Sequence, residues 1–211
     1  MTSADVPPAD IALPLHAPGL KIGLFGGSFN PAHDGHRMAS LTALRKLGLD
    51  RIWWLVTPGN PLKDNRALPS QAVRMEQARV LAHHPRIVVT GVEASLNTRY
   101  TADTLRALMR RCPGVQFVWI MGSDNLASFH RWQEWQAIAQ MMPFAIIDRP
   151  GTTHKAVRSR AALKLARNRL DETDSLLLAS SRAPAWIFLH GRRSGLSSTQ
   201  LREAMSAEPE A

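Results

Sequence analysis

The stretch Gly26-Gly27-Ser28-Phe29-Asn30-Pro31-Ala32-His33-Asp34-Gly35-His36 decides how this 211-residue chain is expected to fold. It follows an apolar run at 22–25 and precedes a helix-like run at 37–47. The pattern predicts a buried strand, a glycine turn and a helix, and the exposed amides and positive helix end there favour an anion. His33 and His36 lie at the predicted helix start, where imidazole groups can donate hydrogen bonds to phosphate oxygens. The stretch therefore predicts a phosphate site.

Two other interpretations of the same stretch remain open. A strand, a Gly-Gly turn and a helix occur in many α/β domains that bind no ligand. A histidine pair could also ligate a metal, but zinc sites use three or four ligands and the only cysteine is Cys112. The stretch matches neither the Walker loop nor the Gly-x-Gly-x-x-Gly fingerprint. We therefore expect no dedicated metal site and look for a second phosphate-binding segment.

Such a segment is Ser197-Ser198-Thr199-Gln200-Leu201-Arg202, which follows a strand-like run at 185–189. Ser198 or Thr199 suits a helix N-cap, and capping explains one hydroxyl. Three consecutive hydroxyls with Arg202 one turn later also fit a phosphate held by hydroxyls, helix-end amides and a guanidinium. From these residues alone, capping and phosphate binding both remain open.

Apolar runs alternate with helical patterns along the chain. Strands are predicted at 20–26, 51–57, 86–91, 115–121, 143–148 and 185–190, and helices at 35–47, 70–83, 101–111, 132–140, 154–170 and 198–205. Continuous apolar runs such as 52–56 suit strands that are buried on both faces. The alternation predicts an α/β fold with a Rossmann-like, doubly wound, mostly parallel sheet and helices on both faces. In such folds ligands bind at the carboxyl ends of the strands.

The chain is expected to form a single domain over residues 20–205. Residues 1–19 contain four prolines and lack the basic start and long apolar core of a signal peptide, so they predict a loose N-terminal tail. Residues 206–211 predict a C-terminal tail, and the polar stretch 171–184 predicts a surface loop.

Composition limits the classes of partner. The formal net charge is +9, but the densest basic stretch, 155–169, spaces its cations among alanines and leucines. That spacing is typical of an amphipathic helix with a solvated basic face, and we expect no nucleic-acid partner. A basic chain also attracts polyanionic nucleotides. No apolar run reaches the roughly 18 residues of a membrane span, and a single cysteine forms no internal disulfide, so we expect a cytoplasmic protein without membrane contact.

The glycine–histidine stretch and the C-terminal segment together resemble the two signatures of the HxGH nucleotidylyltransferase superfamily. Further segments resemble one branch of it, the nicotinate mononucleotide adenylyltransferases. They lie at 57–64, 100–105, 119–126, 129–132 and 149–151. The resemblance runs from about residue 20 to residue 205, and five matching segments in order make it specific.

The resemblance implies the transfer of AMP from ATP to nicotinate mononucleotide, giving nicotinate adenine dinucleotide and pyrophosphate in NAD biosynthesis. The substrate phosphate is the nucleophile and is already ionised at neutral pH, so catalysis needs positioning and charge stabilisation at the α-phosphorus. The resemblance implies His36 for that charge, His33 for orienting the triphosphate, and Lys63 near the reacting phosphates. Mg²⁺ is expected to arrive with ATP.

The resemblance also implies two sets of binding residues. Those expected to bind ATP are Gly26, Gly27, Ser28, Phe29, His33, His36, Gly122, Asp124, Ser198, Thr199 and Arg202. Those expected to bind the pyridine nucleotide are Tyr100, Thr101, Trp132, Gln133 and Arg149. Read without the resemblance, Asp124 is also a common helix cap and Trp132 a common core residue.

Alternatives to this function stay open at this point. One is an adenylyltransferase that uses another phosphorylated acceptor, such as phosphopantetheine. Another is a non-catalytic protein of the same fold that binds nucleotides or RNA. The resemblance is also compatible with a homo-oligomer.

Overall fold

A six-stranded, wholly parallel sheet forms the centre of the computed structural model, which describes residues 6–59, 68–149 and 151–191. The strands are β1 (Lys21–Gly27), β2 (Arg51–Val56), β3 (Ile87–Thr90), β4 (Gln116–Gly122), β5 (Phe144–Ile147) and β6 (Trp186–Leu189). Their order is β3-β2-β1-β4-β5-β6, and each neighbouring pair is parallel. All six predicted strands are present, and the Rossmann-like fold is confirmed.

Helices cover both faces of this sheet. They are α1 (Pro8–Ile11), α2 (Asp34–Lys46), α3 (Gln71–Ala82), α4 (Val92–Leu96), α5 (Thr101–Arg111), α6 (Ser123–Ser128), α7 (Trp135–Met141), α8 (Thr153–Val157) and α9 (Arg160–Lys164). Side chains alternate along each strand, so the neighbours Trp53 and Trp54 belong to two different apolar clusters. Both are fully buried. The double winding follows from this two-sided burial.

The stretch 154–170 was predicted as one amphipathic helix, and that prediction is wrong. Helix α8 ends at Val157, and the Ser159 side chain accepts a hydrogen bond from the Ala162 N–H at 3.2 Å as the N-cap of α9. A short 3₁₀ turn, Ala166–Asn168, follows. A serine that caps a new helix competes with continuation of the old one, which explains the break.

Two segments predicted to lack structure are packed. Within 171–184 a 3₁₀ segment, Glu172–Ser180, buries Leu178 completely. The described part of the expected loose tail buries Val6, and the Asp10 carboxylate lies 2.5 Å from the Arg79 guanidinium. The Asp10 carbonyl also accepts hydrogen bonds from the Gly91 N–H and the Thr90 hydroxyl, at 2.9 and 3.2 Å. These partners are distant in sequence, so local composition gave no sign of them.

Other boundaries differ slightly. Helix α7 begins at Trp135 instead of 132 because Glu134 adopts a left-handed backbone conformation with φ of 52°. The predicted helix 198–205 and the tail 206–211 lie outside the described residues.

The order of the strands in the sheet determines where the candidate site lies. Strands β1 and β4 are neighbours, and the chain leaves them towards opposite edges of the sheet. A crevice forms outside the carboxyl ends of two such strands, here next to Gly27 and Gly122. None of the helices in the described ranges has the length and apolar character that crossing a membrane would need.

Candidate active site

The histidine pair lies in the first turn of α2, directly after β1. His33 is the N-cap, and its Nδ1 accepts a hydrogen bond from the Gly35 N–H at 3.1 Å. In return, the His33 N–H donates to the Nδ1 of His36 at 3.2 Å. A backbone N–H only donates, so both Nδ1 atoms are unprotonated when the rings are neutral, and the ring proton is on Nε2. Each imidazole therefore has one donor, Nε2–H, beyond its role in the helix cap.

Burial keeps this pair uncharged. The ring centroids are 4.0 Å apart and both residues are less than a tenth exposed. Burial, with a further contribution from the Arg149 cation, lowers the pKa of His33 to about 4. Burial, the His33 ring and Arg149 likewise hold the pKa of His36 well below its usual range. The His33 Nε2 is buried and has no hydrogen-bond partner within the described ranges, which leaves a buried donor at the site.

The aromatic rings of Phe29 and Trp54 pack against His36. The Phe29 ring centroid lies 4.9 Å from that of His36, and Phe29 stacks on Trp54 at 4.9 Å and 18°. The Trp54 Nε1–H donates to the Ser40 hydroxyl at 2.7 Å, which in turn donates to the His36 carbonyl at 2.9 Å. Phe29 is only 1% exposed, so its ring is part of the buried aromatic packing around His36. Sequence reasoning missed Trp54, which reaches His36 only through the folded chain, and Ser40, which lies one helical turn after His36 on α2.

The last two residues of β1, Gly26 and Gly27, are glycines for different reasons. A Cβ on Gly26 would lie 2.5 Å from Cη2 of Trp119, so the tryptophan ring occupies the space of a side chain there. A Cβ on Gly27 would make an ordinary 3.4 Å contact with Phe29. Packing against β4 therefore accounts for Gly26, whereas Gly27 stays open as a place for close ligand approach.

Asp124 and Arg149 meet at the end of β4. The Arg149 Nε lies 3.6 Å from the Asp124 Oδ1, and a Cβ on Gly122 would lie 2.7 Å from that Nε. The charges of Asp124 and Arg149 both act on the pKa of His33, so they lie close to the histidine pair. Arg149, expected with the pyridine nucleotide, is thus brought together with the residues expected to bind phosphate.

The loop after β5 is fastened to the start of α6. The Ser123 hydroxyl accepts from the Arg149 N–H at 2.9 Å and is hydrogen-bonded to the Thr152 hydroxyl at 2.5 Å. The N-cap of α6 is Gly122 without a side-chain cap, so Asp124 does not cap the helix. Its carboxylate is about half exposed and available to a ligand. Ser123 and Thr152 are missed site residues, although Ser123 lies within the Gly-Ser-Asp motif that drew attention to Asp124.

The other four residues expected at the pyridine nucleotide lie at the start of α5 and in the turn before α7, and these two helices pack together. Tyr100 is the N-cap of α5 but its side chain makes no capping bond, and Thr101 begins the helix. Trp132 is edge-on to Phe129 at 5.5 Å and to Trp119 at 6.4 Å, so it is half core residue and half surface. Gln133 is exposed.

Two side-chain contacts support these elements. Arg106 of α5 forms an ion pair with Glu134, directly after Gln133. The Thr104 hydroxyl donates to the Glu93 carboxyl at 3.0 Å, and burial raises the pKa of Glu93 to about 7. Sequence reasoning missed Glu93, a residue of α4 whose carboxyl reaches Thr104 in the first turn of α5.

The other expected site residues lie outside the described residues: Lys63, Ser198, Thr199 and Arg202. Their roles therefore stay predictions. In the part of the chain that the structure describes, no three residues among His, Cys, Asp and Glu form a group that could hold a metal ion.

A parallel sheet in this order, with a histidine-capped helix at the crevice between β1 and β4, is the architecture of a nucleotide-binding α/β domain. The model of the cytidylyltransferase-like family matches residues 24–204. A relative from Methylorubrum extorquens is 58% identical over 183 residues, which are 87% of this chain and 99% of the relative. One from Brucella suis is 54% identical over 87% of this chain and 95% of the relative. One from Rhizobium meliloti is 52% identical over 89% of this chain and 100% of the relative.

All three relatives are described as probable nicotinate-nucleotide adenylyltransferases. The chain belongs to this family of nucleotidyltransferases, which confirms the family indicated by its two signatures.

Solved structures agree on the fold. A Plasmodium falciparum nicotinic acid mononucleotide adenylyltransferase complexed with APC matches with a TM-score of 0.63 and 18% identity, over 87% of this chain and 83% of that one. The same enzyme complexed with NaAD matches with a TM-score of 0.63 and 17% identity, over 90% of this chain and 86% of that one.

Proposed function

We propose that this protein transfers AMP from ATP to nicotinate mononucleotide, releasing pyrophosphate and forming nicotinate adenine dinucleotide. The observation that carries this proposal is the buried His33–His36 pair, whose Nδ1 atoms are engaged by backbone N–H groups. Only the Nε2–H donors remain for a ligand, and a phosphate oxygen is their natural acceptor. Membership of the adenylyltransferase family supplies the acceptor substrate.

The reaction balances without an enzyme base or a covalent intermediate. An oxygen of the mononucleotide phosphate bonds to the α-phosphorus, and the bond to the β-phosphate oxygen breaks with its electron pair leaving on pyrophosphate. The nucleophile is ionised already, so no proton has to move. The lowered pKa values of His33 and His36 suit hydrogen-bond donation better than proton transfer. His36 would stabilise charge that develops on the α-phosphate oxygens.

Other residues would share the triphosphate. Arg149 lies near the histidine pair and would add a fixed positive charge there. Lys63 would lie near the reacting phosphates, while Ser198, Thr199 and Arg202 would hold the β- and γ-phosphates. Mg²⁺ would enter as part of the ATP substrate, keeping most of its water and phosphate ligands.

The nucleoside of ATP and the nucleoside of the acceptor would bind on opposite sides of the crevice. The half-exposed Asp124 carboxylate would accept hydrogen bonds from the ATP ribose or adenine side. The backbone amides of 26–29 and Gly122 would approach the nucleotide closely. On the acceptor side, the start of α5 at Tyr100 and Thr101, with Trp132 and Gln133, would receive the pyridine ring and its carboxylate.

We also propose a cytoplasmic location for the enzyme. The single cysteine, Cys112, is buried, and burial raises the pKa of its thiol to about 11, so it is neither paired nor reactive. A protein of this kind needs no oxidising compartment.

The test is pyrophosphate release from MgATP by the purified protein with four acceptor conditions: nicotinate mononucleotide, its amide, phosphopantetheine and no acceptor. We expect release that depends on the nicotinate mononucleotide, and the dinucleotide as the second product. Release with phosphopantetheine alone would move the protein to another branch, and nucleotide binding without release would make it a non-catalytic member. The His36→Ala variant controls for contaminating activity.

A further inference from the structure

Arg74 is a fully buried arginine on α3 whose guanidinium, among the described residues, binds only main-chain carbonyls. Its Nε donates to the Pro69 carbonyl at 2.9 Å, and its Nη1 donates to the carbonyls of Ser28 and Thr57 at 2.6 and 3.0 Å. Its Nη2 donates to the Pro58 carbonyl at 3.2 Å. At least four N–H donors are used in this way, so little of the group is left for a substrate.

The charge of Arg74 is not neutralised by a carboxylate within the described residues. Burial lowers its pKa to about 10, and no neighbouring charge contributes to the shift. The group is therefore still protonated at neutral pH. Burying a cation without an ion-pair partner is unfavourable, and an apolar side chain would fill the same volume without that cost. The four carbonyl dipoles compensate for the lost hydration only while the three backbone segments stay where they are.

Those segments flank the candidate site. Ser28 belongs to the glycine turn that leads to His33 and His36. Thr57 and Pro58 follow β2, and Pro69 precedes α3, so they stand on either side of the stretch that contains Lys63. The same helix also holds the end of β2, because the Gln71 Nε2 donates to the Val56 carbonyl at 2.6 Å. One guanidinium thus joins the glycine turn to both ends of the lysine stretch.

We propose that Arg74 is a positioning residue for nucleotidyl transfer: it fixes the glycine turn at Ser28 relative to the chain at Thr57–Pro58 and at Pro69, so that His36 keeps its place at the triphosphate. The inference rests on the proposed function. It goes beyond it by giving a role to a side chain that is remote from the reacting atoms.

The test is a double-mutant cycle between Arg74 and His36. Arg74→Lys keeps the charge, but its three donors radiate from one atom and cannot span all three segments. We expect kcat to fall about 10- to 100-fold, since a displacement of about 1 Å has that effect, while KM for nicotinate mononucleotide changes by less than about 3-fold. In a His36→Asn background, the further loss from Arg74→Lys should be below about 3-fold.

Arg79→Lys is the matched control because Arg79 lies on the same helix but pairs with the carboxylates of Asp10 and Glu76 instead of with the three backbone segments. It should leave kcat unchanged. Hydrogen exchange gives a second readout that needs no activity: Arg74→Lys should speed exchange in peptides covering 26–30 and 57–70 and leave β5 and β6 unchanged.

Equal losses in both backgrounds, or exchange that rises across the whole sheet, would overturn the proposal by making Arg74 a general stabiliser. An unchanged kcat together with unchanged exchange would also overturn it. Failure of the proposed function is recognised separately, since the unmutated protein would then not use nicotinate mononucleotide. The cycle would in that case be measured with the acceptor that it does use, or by exchange alone.

Discussion

Replacing His36 by asparagine separates the two contributions of this residue. The Nδ1 of His36 accepts the His33 N–H at 3.2 Å as part of the helix cap, and the Nε2–H is the donor assigned to the α-phosphate. Asparagine places its Oδ1 at the same distance from the chain as Nδ1, so it can keep the cap, but nothing reaches the position of Nε2. His36→Asn therefore removes the catalytic donor and spares the fold.

Both effects have a known order of magnitude. Loss of one positioned donor to a developing oxyanion costs about 2.7–4 kcal/mol, a 100- to 1000-fold lower kcat. The cap is worth about 1 kcal/mol, and it should be lost in His36→Ala and kept in His36→Asn. Binding of ATP should change little in either variant, because the interaction is made mainly in the transition state.

The assay combines steady-state kinetics with urea unfolding. The complementary variant His36→Gln carries an amide N–H near the Nε2 position and lacks the Nδ1-type acceptor. We expect it to retain more turnover than His36→Asn and to be less stable. A kcat for His36→Asn within a few-fold of the parent, in a folded protein, would refute the assignment of His36 to the reaction.

Three further predictions follow from the site. The folded-state pKa of His33, about 4, lies below its ordinary value of 6.5, so the unfolded chain binds more protons and stability should fall as pH drops from about 6.5 to 4. A His33→Asn variant, measured by urea unfolding in parallel, should show a flatter dependence, and identical pH profiles would contradict the shift. Arg202→Lys should raise KM for ATP without unfolding the protein, because lysine lacks the planar guanidinium of arginine. A KM for ATP equal to that of the unmutated protein would leave the segment 197–202 with the role of a helix cap alone. The acid mononucleotide should be preferred over the amide by roughly 10- to several-hundred-fold in kcat/KM, since helix-start amides favour a carboxylate, and equal values would exclude acid selectivity.

The sheet could be predicted from the sequence because its signal is local. Strands buried on both faces are continuous apolar runs, and each of the six appears within a residue or two of its predicted position. The start of α2 was also predicted to within one residue, at 35 against the observed Asp34. The tautomers of His33 and His36 could not be predicted, because they depend on the backbone N–H from which each Nδ1 accepts a hydrogen bond.

Long-range contacts explain most of what was missed. Arg149 was grouped by motif with the pyridine site, and only the folded chain shows it beside Asp124 and the histidine pair. Arg74 binds carbonyls at residues 28, 57, 58 and 69, and main-chain acceptors leave no sequence signature. The break at Ser159 had a local sign, since serine is a common N-cap, but the apolar periodicity around it was stronger.

The contact between Gly26 and Trp119 has an evolutionary consequence. Because the indole ring of Trp119 lies where a Cβ of residue 26 would be, a larger residue in place of Gly26 requires a smaller one in place of Trp119. An alignment of relatives should therefore show covariation, with alanine or serine at the first position accompanied by a smaller side chain at the second. The glycine of the phosphate signature would then be retained for the packing of the neighbouring strand, even in a descendant that had lost its nucleotide.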